Sequence, residues 1–151
     1  MPHFHYRTID ELREDIGTRG VDVRIADDLA PLAGRVGIGD RTAANRMAVH
    51  PMEGCDGNLD GTPGELTFRR WLRFAEGGAA VLWGEATAVA PEARANPRQL
   101  LISRETAPAL KRLLDETRAT CRARFGSSDG FLAGMQLTHS GRWSYPAPII
   151  V

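Results

Sequence analysis

The chain has 151 residues, 19 of them basic and 19 acidic, so its formal net charge is zero; 42% are hydrophobic and 25% charged. A neutral balance removes the electrostatic basis for binding nucleic acid or an acidic membrane surface, and the apolar fraction is that of a globular chain rather than a disordered one. The length suits one domain with its own core, and falls short of the roughly 200 residues that a closed (β/α)8 barrel requires.

The first twenty residues carry Arg7, Asp10, Glu11, Arg13, Glu14 and Asp15, which exclude a secretory signal. The apolar runs Ala79–Trp83 and Phe131–Met135 are far shorter than the ~20 residues of a membrane helix. Cys55 and Cys121 form no CxxC pair, so neither a zinc site nor a disulfide framework is indicated. A soluble cytoplasmic protein with no nucleic-acid or membrane partner is expected.

Residues 1–33 read as a polar N-terminal extension with a short helix around Asp10–Ile16, preceded by His3 and His5 in a frayed tail. Gly34, Gly37 and Gly39 mark a turn-rich stretch. Their GxxGxG spacing is not the dinucleotide fingerprint GxGxxG. Arg46–His50 then reads as a strand stopped by Pro51.

The loop from Glu53 to Gly61 precedes a helix expected to start with Thr62 as N-cap, Pro63 at N1 and Glu65 at N3. Phe68, Trp71, Leu72 and Ala75 give that helix one apolar stripe, and Gly77-Gly78 ends it. Ala79–Trp83 has the length and continuous apolarity of a parallel strand, finishing at Gly84-Glu85-Ala86.

A long excursion with Pro91 and Pro97 leads to a second helix, capped by Ser103 or Thr106 and running to about Phe125. Its buried stripe is Leu110, Leu113, Leu114, Thr117 and Cys121, and Gly126 stops it. A third strand, Phe131–Leu137, ends in Thr138, His139, Ser140, Gly141 and Arg142. Strand–helix–strand–helix–strand is an α/β order with right-handed crossovers. Its polar residues collect after the carboxyl ends of the strands, where such sheets place their sites.

The sequence holds two patterns of potential cation ligands. Asp56, Asn58, Asp60 and Gly61 match the opening of an EF-hand loop, but Thr67 stands where a bidentate Glu is required and no helix precedes the loop, so a solvated turn is expected. His50, Glu53 and His139 could meet at one barrel mouth and suit a divalent metal, although their spacing is no specific metal signature.

Three blocks together carry a stronger signal. They are Asn45-Arg46-Met47-Ala48-Val49-His50-Pro51-Met52, then Gly77-Gly78 leading into Gly84-Glu85-Ala86-Thr87-Ala88-Val89, then Gln136-Leu137-Thr138-His139-Ser140-Gly141-Arg142. In this order and spacing the chain resembles the old yellow enzyme family over about residues 30–145. That resemblance implies a partial (β/α)8 TIM barrel of about the first three β/α units, with residues 34–151 forming its N-terminal portion. It also implies FMN as cofactor, NADH or NADPH as reductant, and ene-reductase-like hydride transfer through flavin N5 to a small-molecule electron acceptor.

Carried over residue by residue, the resemblance places the backbone around His50, Pro51, Met52 and Glu53 against the flavin ring, with Ala86 as the small residue beside it. Gln136 would meet the polar pyrimidine edge. A planar ring in an apolar slot needs such close backbone approach and a few rim hydrogen bonds, and an amide supplies both donor and acceptor. From its apolar neighbours Gln136 is expected to be buried and in need of a polar partner. Cys55, His139 and Arg142 fall at the mouth or substrate side.

The chain departs from the family at two positions. Glu53 replaces the usual Thr or Cys that tunes the flavin, and Cys55 stands where some relatives carry Tyr. The family's pair that holds the substrate carbonyl, its tyrosine proton donor and its FMN-phosphate residues lie further on, with no counterpart here. The chain alone is therefore expected to bind FMN poorly and to be inactive, and to need the missing C-terminal portion or self-association to cover its open strand edge. The alternatives are a metal-dependent barrel enzyme using His50, Glu53 and His139, and a non-catalytic fragment acting as an assembly partner.

Overall fold

The computed structural model describes residues 6–145, which fall into two compact units divided between Pro31 and Leu32. His3 and His5 lie outside the described residues. The first unit contains helix α1 (Ile9–Arg19), longer at both ends than the expected Asp10–Ile16. The Thr8 hydroxyl accepts from the Glu11 N–H at 3.2 Å to cap its start. Gly20, at φ 63°, ends it in the left-handed region. No residue of α1 is buried.

A short helix, α2 (Ala30–Ala33), is followed by an antiparallel hairpin of β1 (Val36–Ile38) and β2 (Arg41–Ala43). The stretch expected to be only turns is therefore a hairpin, with Gly39 at φ 60° supplying its reversal. Then come β3 (Ala48–Val49), α3 (Glu65–Gly77), β4 (Val81–Ala88), α4 (Ala107–Phe125) and β5 (Leu132–Thr138). The three later strands form one parallel sheet in the order β3-β4-β5.

Three local expectations need correction. Strand β3 is two residues long instead of Arg46–His50, because the Asn45 side chain takes over hydrogen bonding at its start. Asn45 Oδ1 accepts from the Met47 and Ala80 N–H groups at 3.0 and 3.1 Å, and Nδ2 donates to the Gly78 carbonyl at 2.7 Å. Helix α3 starts after Gly64 rather than Thr62. The Thr62 hydroxyl is already engaged with Asp60 and Asn58, while Thr67 Oγ1 accepts from the Gly64 N–H at 3.2 Å. Strand β4 does not stop at Gly84-Glu85-Ala86 but continues to Ala88 through a register shift between Gly84 and Ala86.

Helices α3 and α4 cover one face of the sheet. Trp71 and Ala75 of α3, Leu82 of β4, Leu113 and Cys121 of α4, and Phe131 form the core. In the expected stripes Phe68, Leu72 and Leu114 are only half-buried, while Thr67 is fully buried. Trp71 packs so closely on β4 that a Cβ at Gly84 would lie 2.6 Å from its ring. Among the described residues of the second unit the other face carries no layer: Trp83 is 50% exposed. No helix among the described residues is long and apolar enough to cross a membrane.

Candidate functional site

Residues 50–64, 89–106 and 139–145 follow the carboxyl ends of β3, β4 and β5, and backbone hydrogen bonds tie them into one rim. The Gly57 N–H donates to Arg98 O, Leu101 N–H to Gly61 O, Ser140 N–H to Ala93 O, and Tyr145 N–H to Arg94 O, at 2.6–3.0 Å. Arg94 stiffens the middle loop. Its guanidinium donates to the carbonyls of Leu59, Pro97 and Gln99 at 2.6–3.1 Å.

Ladder register decides which residues share the uncovered face. Side chains alternate along a strand, and directly paired residues point the same way. The pairs Trp83↔Gly134 and Ala86↔Gln136 therefore lie on the face away from the helices. A Cβ on Gly134 would touch the Trp83 ring at 3.7 Å, which fixes that side. Gln136 is thus exposed, not buried as expected, and its amide has no hydrogen-bond partner among the described residues. The apolar neighbours that suggested burial belong to the strand's other, helix-covered side.

Glu85 is the extra residue of the β4 bulge. Its side chain is 4% exposed and points to the helix side, where Oε1 accepts from Arg70 Nη2 at 2.6 Å and Trp71 Nε1 at 3.4 Å. Oε2 accepts from the Gly54 N–H at 3.0 Å. The same Arg70 nitrogen reaches Asp56 Oδ1 at 3.0 Å, which also accepts from the Thr67 hydroxyl at 2.7 Å. The Asp56–Gly61 loop is therefore not a simple solvated turn: Asp56 is spent in an ion pair.

Glu53 faces the middle loop. Its Oε1 accepts from the Asn96 amide and lies 3.6 Å from the Cys55 thiol, and its Oε2 lies 3.5 Å from Gln99 Nε2. Gln99, 1% exposed, also donates to the Ala86 carbonyl at 3.3 Å and accepts from the Ala95 N–H at 2.6 Å. Cys55 sits at φ 50°, a strained value for a residue with a side chain. Partial burial, followed by the charge of Glu53 and its hydrogen bond and then by Glu85 and Asp56, pushes the Cys55 thiol above its ordinary range. It is held as a thiol and makes a poor nucleophile.

The remaining expected residues are dispersed around the rim. His50 is exposed without a side-chain partner, and its carbonyl accepts from the Met52 N–H at 2.8 Å. Pro51 is half-buried and Met52 is 74% exposed. His139 Nδ1 accepts from the Gly141 N–H at 3.0 Å, stabilising its own turn. Arg142 lies over the exposed Trp143 ring at 5.5 Å. Among the described residues no three His, Cys, Asp or Glu side chains are arranged to hold a metal ion. The expected His50, Glu53 and His139 set is not assembled, because Glu53 is turned to amide donors and His139 to its own backbone.

The sequence reading overlooked Arg70, Asn96, Gln99 and Arg94, and treated Glu85 only as part of a motif. A polar face on α3 gives no sign that one arginine turns inward. The excursion's Asn and Gln look like ordinary loop residues until their partners are known.

Solved structures share this fold. The old yellow enzyme from Trypanosoma cruzi matches with a TM-score of 0.63 and 22% identity, over 78% of this chain and 29% of that one. The enzyme from a Pichia species matches with a TM-score of 0.64 and 20% identity, over 77% of this chain and 28% of that one. The fold is that of the old yellow enzymes. The homologue from Zymomonas mobilis matches likewise, with a TM-score of 0.60 and 23% identity, over 74% of this chain and 28% of that one. The chain thus spans less than a third of the length of each of these three enzymes, and its sheet is similar to a part of theirs. Compared with models of known protein families, it matches none.

Proposed function

We propose that this chain is the N-terminal part, about the first three β/α units, of an FMN-dependent NAD(P)H oxidoreductase on a (β/α)8 barrel, with residues 34–151 as that portion. The observation that carries this reading is the in-register pairing of Ala86 with Gln136 on the uncovered face, at the end of the sheet where the loops form a rim.

The donor set fits the flavin ring. Gln136 has an amide with neither atom engaged, able to donate and accept at a polar ring edge. Ala86 beside it leaves room for a planar group. The Glu53 N–H makes no hydrogen bond among the described residues and is free for a ring atom. The Glu53 carboxylate, held by Asn96 and Gln99, is directed to the middle loop.

When bound, FMN supplies hydride transfer through N5 from NADH or NADPH to a small electron-poor acceptor. This chain's residues orient the ring. His139 and Arg142 stand on the third loop, at the substrate side of the proposed mouth. The uncovered face, and a groove of about 290 Å³ lined by Trp71, Leu110, Leu114 and Met135 beside the β5 edge, support further chain or a second copy completing the fold.

Titration with riboflavin and FMN, followed by flavin fluorescence and visible absorption, tests the reading. Both ligands are expected to bind weakly, with dissociation constants of roughly 0.1–1 mM and within about twofold of each other, because only the ring is contacted. Gln136→Leu is expected to weaken both about fivefold, the worth of one lost net hydrogen bond. No binding by the wild-type chain up to about 1 mM would refute the flavin reading.

A further inference from the structure

The segment proposed to face the ring, residues 50–53, runs into Gly54, which is joined to β4 through Glu85, a side chain held in turn by Arg70 of α3. Gly54 donates its N–H to Glu85 Oε2 at 3.0 Å, and the other oxygen of that carboxylate accepts from Arg70 at 2.6 Å. Arg70 also holds Asp56, so one guanidinium fixes both the loop that follows the segment and the bulge that precedes Ala86. The three side chains are 21%, 16% and 4% exposed, in the order Arg70, Asp56, Glu85. A Cβ at position 54 would lie 1.6 Å from Arg70 Nη1, so the loop backbone rests directly on the guanidinium and any side chain at 54 would displace it.

The bulge matters equally. Without the extra residue at position 85, the residues beyond it would change faces, and Ala86 would no longer oppose Gln136. Glu85 is held out of the ladder by Arg70, Trp71 and Gly54 together. One nitrogen of the guanidinium, Nη2, donates to both carboxylates, and a shorter-reaching ammonium without the planar group would be held less rigidly between them.

We propose that Arg70 is a positioning residue: through Glu85 and Asp56 it sets the Gly54 segment and Ala86 in the relative placement that a flavin ring requires. The proposal rests on the flavin reading above. It assigns no contact between Arg70 and the ring.

Hydrogen exchange by NMR on the full chain, combined with the riboflavin titration, provides the test. In Arg70→Met the Gly54 amide loses at least about tenfold of its protection while the core amides of β4 keep theirs, and riboflavin affinity falls at least about fivefold. Arg70→Lys, which retains a charge and serves if the methionine variant fails to fold, shows a smaller loss of both. Asn45→Ala, at the opposite end of the sheet, lowers stability and leaves both readouts unchanged. Unchanged Gly54 protection in the Arg70 variants, or an affinity loss no larger than in Asn45→Ala, would overturn the proposal. Loss of Gly54 protection in a chain whose wild type binds no riboflavin would uphold the latch between loop and strand, and would overturn the flavin reading instead.

Discussion

Replacing Asn45 by alanine removes a clamp at the end of the sheet opposite the loop rim, and the geometry sets the size of the effect. Asn45 Oδ1 accepts from the N–H groups of Met47 and Ala80, and Nδ2 donates to the Gly78 carbonyl. Met47 is 41% exposed, so water replaces its partner at little cost, whereas Ala80 is 3% exposed and its N–H is left unsatisfied. An orphaned buried donor costs about 1–3 kcal/mol and the lost bond to Gly78 about 1 kcal/mol more, giving about 3 kcal/mol in all. Equilibrium urea unfolding, followed by far-ultraviolet circular dichroism and by tryptophan fluorescence, measures this as a lower midpoint with an unchanged slope. Asn45→Asp keeps both acceptor contacts but sets a carboxylate against the Gly78 carbonyl, so its loss should be smaller. A loss below about 0.5 kcal/mol in Asn45→Ala would mean that water reaches the Ala80 N–H, and the clamp argument would fail.

Two further outcomes follow from the rim. The Cys55 thiol is raised by partial burial first and by Glu53 next, so alkylation by iodoacetamide should reach half its limiting rate at a pH above the ordinary thiol value of 9.0. Glu53→Gln should move that midpoint down, and a wild-type midpoint at or below the ordinary value would refute the assignment. Because the folded state favours the neutral thiol, its contribution to stability is intact below the ordinary thiol range and declines as pH rises through the folded value. Cys121, buried against the Ser127 carbonyl, should react only on unfolding. Arg94→Ala should free residues 95–102 and speed tryptic cleavage after Arg98 severalfold. An unchanged cleavage rate would show that the loop's backbone bonds suffice without the guanidinium.

The order of strands and helices was legible because each helix carries a 3.6-residue apolar stripe and each later strand a continuous apolar run. Trp71, Ala75, Leu110, Leu113 and Cys121 are buried accordingly. The start of α3 was misread because a capping pattern cannot show that the Thr62 hydroxyl is already bonded to Asp60 and Asn58. Gln136 was misassigned for a related reason. An apolar run predicts a strand buried on both faces, but among the described residues of the second unit one face has no layer over it. The network of Arg70, Asp56 and Glu85 was hidden because its members come from a helix, a loop and a bulge. A bulge arises from pairing and leaves no periodic signature of its own. The three motif blocks located the candidate face without showing which of their residues are structural. Asn45 proves to be a clamp, and Glu85 an anchor.

Parallel sheets ordinarily have both faces covered, and among the described residues of the second unit only the helix side is. That side is closed by Trp71, Leu82, Leu113 and Phe131, and the rim is tied by its own hydrogen bonds, so half of the proposed ligand site is ordered by this chain's own contacts. The groups proposed to meet the ring, Ala86 and Gln136, are held by β4 and β5, whose pairing is continuous from Val81↔Leu132 to Ala88↔Thr138 apart from the bulge. Order on one side does not supply the contact area that affinity demands. A planar ligand laid on this face is desolvated on one side only, which sets its binding in the weak range expected above. Covering the face would raise affinity without altering Gln136. Flavin affinity that rises with chain concentration would therefore show that a second copy supplies the cover, while affinity independent of concentration would leave that role to further chain.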